Sequence, residues 1–147
     1  IATTTLSYER AGAARLYTEM QERLAELVRD LADVRIDNRP VLEDPTTLRR
    51  LGEIAVRIKY LEVLCKRSIS AILYGGDAFG SASLAKTIWG EVGQEIGAFG
   101  FDLLGSHQDG RRWADYRLTS RSLTIAGGTT QINKNITAQR VLGLPRS

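Results

Sequence analysis

The 147-residue sequence has 43% hydrophobic and 25% charged side chains, which is typical of one globular domain and excludes a disordered chain. A single cysteine, Cys65, and a single histidine, His107, exclude an internal disulfide framework, and we predict no metal site. The net charge is +3, and no apolar run reaches the length of a membrane span. The chain begins at Ile1 without an initiator methionine, so we interpret it as a fragment or a processed piece.

The first predicted helix extends from Thr4 or Thr5 to about Val34, because apolar residues recur there at steps of three and four. The segment 37–40 ends it, since it contains an aspartate, an asparagine and a proline. The apolar positions are Leu16, Met20, Leu24, Leu27 and Leu31.

A second predicted helix has Asp44 as its N-cap and Pro45 in its first turn, and it continues to about Tyr74. Two glycines at 75–76 end it. Its apolar positions are Leu48, Leu51, Ile54, Ala55, Ile58, Leu61, Leu64, Cys65, Ile69 and Ile72.

The third predicted helix is capped by Ser81 or Ser83 and continues to about Leu104. It contains glycines on one side, although each interior glycine lowers the stability of a helix by roughly 1 kcal/mol relative to alanine. This pattern predicts close approach of a neighbouring backbone, either in the same domain or across a subunit interface. The glycines are Gly90, Gly93, Gly97 and Gly100.

After a loop at 105–110, we predict a short helix from Arg112 to about Leu123, a glycine-rich turn at 126–130, and a last helix to about Val141. No strand is predicted, because no alternation of polar and apolar residues persists. The predicted fold is all-α: an antiparallel up-down four-helix bundle whose last helix is broken by the Gly-Gly-Thr-Thr turn.

Two features of the C-terminal part suit a ligand. The glycines of the turn let a backbone approach a ligand, and the helix N-terminus that follows favours anionic groups. Residues 111–147 carry seven basic residues and one acidic residue, Asp115, which suits a phosphate-bearing partner. An ordinary capped turn, with Thr129 or Thr130 as N-cap, and a solvated basic face are the alternatives. We expect no nucleic-acid binding, because no known nucleic-acid module is present.

Residues 125–146, IAGGTTQINKNITAQRVLGLPR, resemble the C-terminal end of acyl-CoA dehydrogenases. Residues 6–10, LSYER, resemble the start of the first helix in that family's C-terminal domain, and 84–86 and 101–105 match in the middle. The resemblance covers residues 1–147 as the family's C-terminal helical domain. We expect the N-terminal helical and middle β domains of such an enzyme to be absent from this chain.

The resemblance implies α,β-dehydrogenation of an acyl-CoA thioester, in which a carboxylate removes the α-proton and a hydride passes to FAD. The family has the base at one of two positions, which correspond here to Gly127 and Glu9. Glycine carries no carboxylate, so Glu9 is the candidate catalytic base, with a surface glutamate at a helix N-terminus as the alternative. Arg10 matches the family pattern beside it and is the candidate substrate-binding residue.

The resemblance also implies that Gly128, Thr129 and Gln131 contact FAD, and that the basic C-terminal residues lie near FAD or CoA phosphates. Two family patterns near the FAD of a neighbouring subunit are missing: Arg-x-x-Phe-Gly, here 34–40, and Gly-Gly-x-Gly, here 104–110. Some branches of the family, including branches that act on steroid side chains, pair two different subunits and keep half of the FAD sites. The sequence resembles a subunit of this kind.

The predicted function is therefore that of the C-terminal domain of a cytoplasmic, FAD-dependent acyl-CoA dehydrogenase of fatty acid or steroid side-chain metabolism. It would contribute the base, flavin contacts and an oligomer interface, and it would be inactive alone. Expected partners are an acyl-CoA substrate, dehydrogenase-like subunits in a homo- or hetero-oligomer, and an electron-transfer acceptor. The alternatives are a non-catalytic or half-site subunit of a heteromeric dehydrogenase, and a bundle used only for association through the glycines of the third helix.

Overall fold

The computed structural model of the protein describes residues 15–108 and 110–145. The predicted all-α bundle is confirmed, and α3 lies at its centre, where it packs against the other four helices of the described residues. The helices are α1 (Leu16–Leu31), α2 (Pro45–Leu73), α3 (Phe79–Leu104), α4 (Gly110–Thr119) and α5 (Thr130–Arg140). Two 3₁₀ segments, Val41–Glu43 and Ser120–Thr124, precede α2 and follow α4.

The connection from α1 to α2 is a short hairpin that the sequence did not predict. Strands β1 (Arg35–Ile36) and β2 (Arg39–Pro40) pair antiparallel around Asp37 and Asn38, whose φ angles of 50° and 65° are left-handed. Aspartate and asparagine adopt this conformation more readily than most residues, and they form tight hairpin turns. The helix therefore ends at Leu31 rather than near Val34, and the expectation of no strand is wrong for these four residues.

The start of α2 is as predicted. The side chain of Asp44 accepts a hydrogen bond from the backbone N–H of Thr47 at 2.7 Å, and Pro45 occupies the first turn. This bond satisfies one of the amide groups that a helix N-terminus leaves without a partner.

The predicted serine cap of α3 is wrong. The helix begins at Phe79, whose backbone N–H donates to Asp77 Oδ1 at 2.8 Å, so an aspartate fixes the chain direction before either serine is reached. Ser81 lies inside the helix and donates to the carbonyl of Ala78 at 3.2 Å. Ser83 is buried in the same helix.

The hydrophobic core lies where α3 faces α1 and α2. The predicted apolar positions of α1 and α2 supply most of it, and Cys65 is fully buried among them. Leu48 and Ile72 are exceptions, because each lies near an end of α2 and is 51% exposed, and Ala55 is exposed as well. The side chains that form the centre of the core are Met20, Leu27, Leu31, Ile54, Leu61, Val92 and Ile96.

The glycines of α3 face the chain segment 113–124, which we call the covering segment. A Cβ atom at Gly90 would lie 2.8 Å from the carbonyl oxygen of Leu123, and one at Gly97 would lie 3.1 Å from the Cα of Arg117. The ring of Trp113 fills the space beside Gly100. The predicted close approach is thus made within the domain, and this face is not available as a subunit interface.

A polar contact fixes the beginning of the covering segment on α1. The indole Nε1 of Trp113 donates to Asp30 Oδ2 at 2.7 Å, and Arg112 pairs with the same carboxylate. Trp113 is only 1% exposed, so its N–H would lack a partner without Asp30.

In the described part of the chain, none of the helices combines the length and apolar character needed to cross a membrane.

The close fit at Gly90 gives a stability prediction. Gly90→Ala should lower the free energy of unfolding by about 1–3 kcal/mol, because the added methyl group meets a backbone carbonyl. The matched control is Gly52→Ala on the exposed side of α2, where nothing lies within 4 Å of an added Cβ. It should raise the free energy of unfolding by about 0.5–1 kcal/mol, since alanine is the better helix former. Urea denaturation measures the free energy of unfolding of both variants. If Gly90→Ala stabilised the protein as Gly52→Ala does, the close contact between Gly90 and Leu123 would be contradicted.

Candidate functional site

The Gly-Gly-Thr-Thr turn connects the covering segment to α5. Gly127 and Gly128 have φ angles of 66° and 99°, in the left-handed region that side chains disfavour. Both positions therefore favour glycine for this backbone path. The same absence of side chains leaves room for a ligand to approach the backbone.

Thr129 is the N-cap of α5. Its φ and ψ angles of −63° and 160° are extended, and its Oγ1 accepts from the backbone N–H of Ile132 at 3.3 Å. The prediction of a threonine cap is confirmed for Thr129, whereas Thr130 is the first helical residue. The cap determines where α5 begins and leaves the outer side of the turn open.

Asn133 holds the inner side of the turn. It is 6% exposed, and its Nδ2 donates to the carbonyl oxygens of Gly128 at 2.9 Å and Thr129 at 3.1 Å. The residues predicted for the site from the sequence do not include Asn133. An asparagine in the second turn of a helix is a weak helix former that competes for backbone groups, and this signal could have indicated it.

Lys86 lies beneath the turn on the side of α3. Its ammonium group donates to the carbonyl of Leu123 at 2.5 Å and lies 4.5 Å from the centre of the Trp89 ring. A Cβ atom at Gly127 would be 3.3 Å from Lys86 Cε. Burial lowers the pKa of Lys86, because removal from water disfavours its charged form.

The structure brings together three of the five residues predicted for the site. Gly128 and Thr129 are half-buried in the turn, and the side chain of Gln131 is exposed beside them. Glu9 and Arg10, the predicted base and substrate contact, lie outside the described residues.

Some of the basic residues in the C-terminal part have partners inside the domain. Arg112 pairs with Asp30, and Lys134 lies 3.7 Å from Glu91. The guanidinium group of Arg140 stacks on an aromatic ring. The predicted proximity of this segment to FAD or CoA phosphates stays a prediction.

The chain matches the C-terminal domain of acyl-CoA dehydrogenases over residues 1–142, and it belongs to this family. Acyl-CoA dehydrogenases bind FAD. The acyl-CoA dehydrogenase IpdE1 of Mycobacterium tuberculosis is 29% identical over an alignment 159 positions long. The alignment covers 99% of this chain and 38% of that protein. The chain therefore spans less than half of this relative's length.

Solved structures of the family share the fold. Butyryl-CoA dehydrogenase from Megasphaera elsdenii aligns with a TM-score of 0.81 at 17% identity, over 96% of this chain and 38% of that one. The Tcur3481-Tcur3483 steroid acyl-CoA dehydrogenase aligns with a TM-score of 0.78 at 24% identity, over 99% of this chain and 40% of that one. At these identities the likeness establishes the arrangement of the helices.

The capping contact of Thr129 gives a second prediction. Thr129→Ala should lower the free energy of unfolding by about 1 kcal/mol, because the N–H of Ile132 loses its acceptor. Thr129→Ser keeps a hydroxyl in the same place and should cost less than half as much. Urea denaturation of both variants checks the expectation, and equal losses would show that the methyl group rather than the hydroxyl is responsible.

Proposed function

We propose that this chain is the C-terminal domain of an FAD-dependent acyl-CoA dehydrogenase that introduces an α,β double bond into an acyl-CoA thioester. The observation that carries the proposal is the turn at 127–131. Two left-handed glycines leave its backbone open, and a capped helix begins directly behind it. Membership of the acyl-CoA dehydrogenase family supports the same chemistry.

The turn fits a contact with FAD. Its two glycines present no side chain that would prevent a planar ring from approaching, and the Gln131 side chain is exposed for hydrogen bonding. Thr129 and Gly128 would complete the contact from this chain. When bound, FAD would accept the hydride that leaves the β-carbon.

Glu9 is proposed as the base that takes the α-proton, and Arg10 as a substrate contact. The sequence supports this choice indirectly, because the other family position for the base is Gly127 here. The space beside Gly127 is bordered by the aliphatic part of Lys86, and no carboxylate can project from this position. The base must therefore come from another part of the chain, or from another subunit.

A half-site subunit of a heteromeric dehydrogenase is the second candidate function. Where the family often has Arg-x-x-Phe-Gly, this chain forms the hairpin β1–β2 with left-handed Asp37 and Asn38. The sequence of 34–40 departs from the family's pattern, because it lacks the Phe-Gly pair that would lie near a neighbour's FAD. The Tcur3481-Tcur3483 steroid dehydrogenase, whose name combines two components, supports a paired assembly of this kind. In either case we propose dehydrogenase-like partner subunits and an electron-transfer acceptor.

The role of Glu9 is tested by Glu9→Gln in the complete protein that carries this domain. Turnover of acyl-CoA should fall by about 10²- to 10⁴-fold or more, because the amide cannot accept the proton, while FAD content and circular dichroism stay unchanged. Glu22→Gln, on the exposed side of α1, is the matched control and should retain full turnover. Retained turnover in Glu9→Gln would overturn the assignment of the base.

The two candidate functions differ in flavin content. If the chain supplies a full site, the complete protein expressed alone should bind about one FAD per chain and turn over substrate. If it is a half-site subunit, flavin and activity should require co-expression with a second dehydrogenase-like chain. Absorbance of the visible flavin band against protein concentration measures the ratio. A protein without flavin in both preparations would contradict both functions.

A further inference from the structure

We infer that Asn133 is a positioning residue for the cofactor contact of this domain. Its side-chain amide orients the peptide groups on either side of Thr129 so that their N–H groups point outward, toward the place where FAD would lie. The inference rests on the proposed contact between the turn and FAD. It adds a residue that does not itself touch the cofactor.

The first step is the double contact of the Asn133 amide. An asparagine NH₂ group has two N–H bonds, so it can bind the carbonyl oxygens of Gly128 and Thr129 together, at 2.9 Å and 3.1 Å. The Asn133 side chain is buried, so both bonds are made away from solvent. Burial of a primary amide is unfavourable unless such bonds are made, so the contacts and the buried position depend on each other.

The second step follows from the planarity of the peptide bond. In a trans peptide the N–H points opposite to the C=O of the same unit. The carbonyl of Gly128 shares its unit with the N–H of Thr129, and the carbonyl of Thr129 shares its unit with the N–H of Thr130. With both carbonyls on Asn133, both N–H groups point away from it. These amides belong to the helix start, which has no intrahelical acceptor for them.

The third step is the packing between Gly128 and Asn133. A Cβ atom at Gly128 would lie 3.4 Å from Asn133 Nδ2, so the amide lies directly beside the glycine backbone. The left-handed glycine turns the chain, and the amide then bonds the carbonyls of the two peptide planes that follow. The carbonyl of Thr129 also accepts a hydrogen bond from the backbone N–H of Asn133 at 3.0 Å, so the side chain contributes most to the orientation of the Gly128–Thr129 peptide. Two outward N–H groups at one turn suit an acceptor-rich planar ring such as flavin.

The test compares variants of the complete protein, with its partner subunit where FAD binding requires one. Asn133→Asp has nearly the same shape but places a carboxylate, which cannot donate, against two carbonyl oxygens. Its dissociation constant for FAD should rise tenfold or more, and the shape of the visible flavin band should change. Asn135→Asp introduces the same charge at an exposed position of α5 and should bind FAD within twofold of the unsubstituted protein.

A second variant covers the case in which Asn133→Asp does not fold. Asn133→Ala removes both donors but substitutes the best helix former, so α5 should persist by circular dichroism while FAD affinity falls. Unchanged FAD affinity and an unchanged flavin band in a folded Asn133 variant would overturn the inference.

Gln131→Ala distinguishes failure of this inference from failure of the proposed function. If Gln131→Ala weakens FAD binding while the Asn133 variants do not, the turn contacts FAD and only the role of Asn133 is wrong. If neither position affects FAD binding, the proposed contact of the Gln131 side chain with FAD fails together with the role of Asn133.

Discussion

The close packing of the covering segment against the glycines of α3 determines where the rest of the candidate site lies. A backbone carbonyl, that of Leu123, comes so near α3 that a methyl group at Gly90 would displace it. The weak helix propensity of glycine is therefore offset by a contact that no other residue allows. Because the segment lies this close, Lys86 reaches the carbonyl of Leu123 and holds the chain shortly before it enters the Gly-Gly turn. At the other end, Trp113 and Asp30 tie the segment to α1.

The turn is consequently supported from two directions. Lys86 bonds the chain just before it, and Asn133 bonds the carbonyls within it. Both donors are on helices, so the turn is held by rigid elements although it carries two glycines. A site prepared in this way costs less conformational entropy when a ligand binds, which is the usual advantage of preorganisation. The outer side, with Gln131, is left free for a ligand in the described part of the chain.

The sequence predicted the parts of the fold that depend on local patterns. Apolar periodicity located the helices, and Asp44 with Pro45 marked the start of α2, because capping is decided within four residues. The start of α3 was misplaced, since the side chain of Asp77 binds the chain before the serines. The hairpin was missed because strands of two residues show no alternation. The family resemblance indicated the turn, but the role of Asn133 depends on left-handed glycines five and six residues earlier in the chain. The roles predicted for Glu9 and Arg10 rest on the family resemblance alone.

We propose that the turn at 127–131 lies against flavin in an acyl-CoA dehydrogenase. A structure of the complete assembly with FAD bound would test this contact. We expect the isoalloxazine ring to lie within hydrogen-bond distance of the backbone N–H of Thr129 or Thr130, with Asn133 still bound to the carbonyls behind them. A structure in which FAD is bound elsewhere and this turn faces solvent would contradict it.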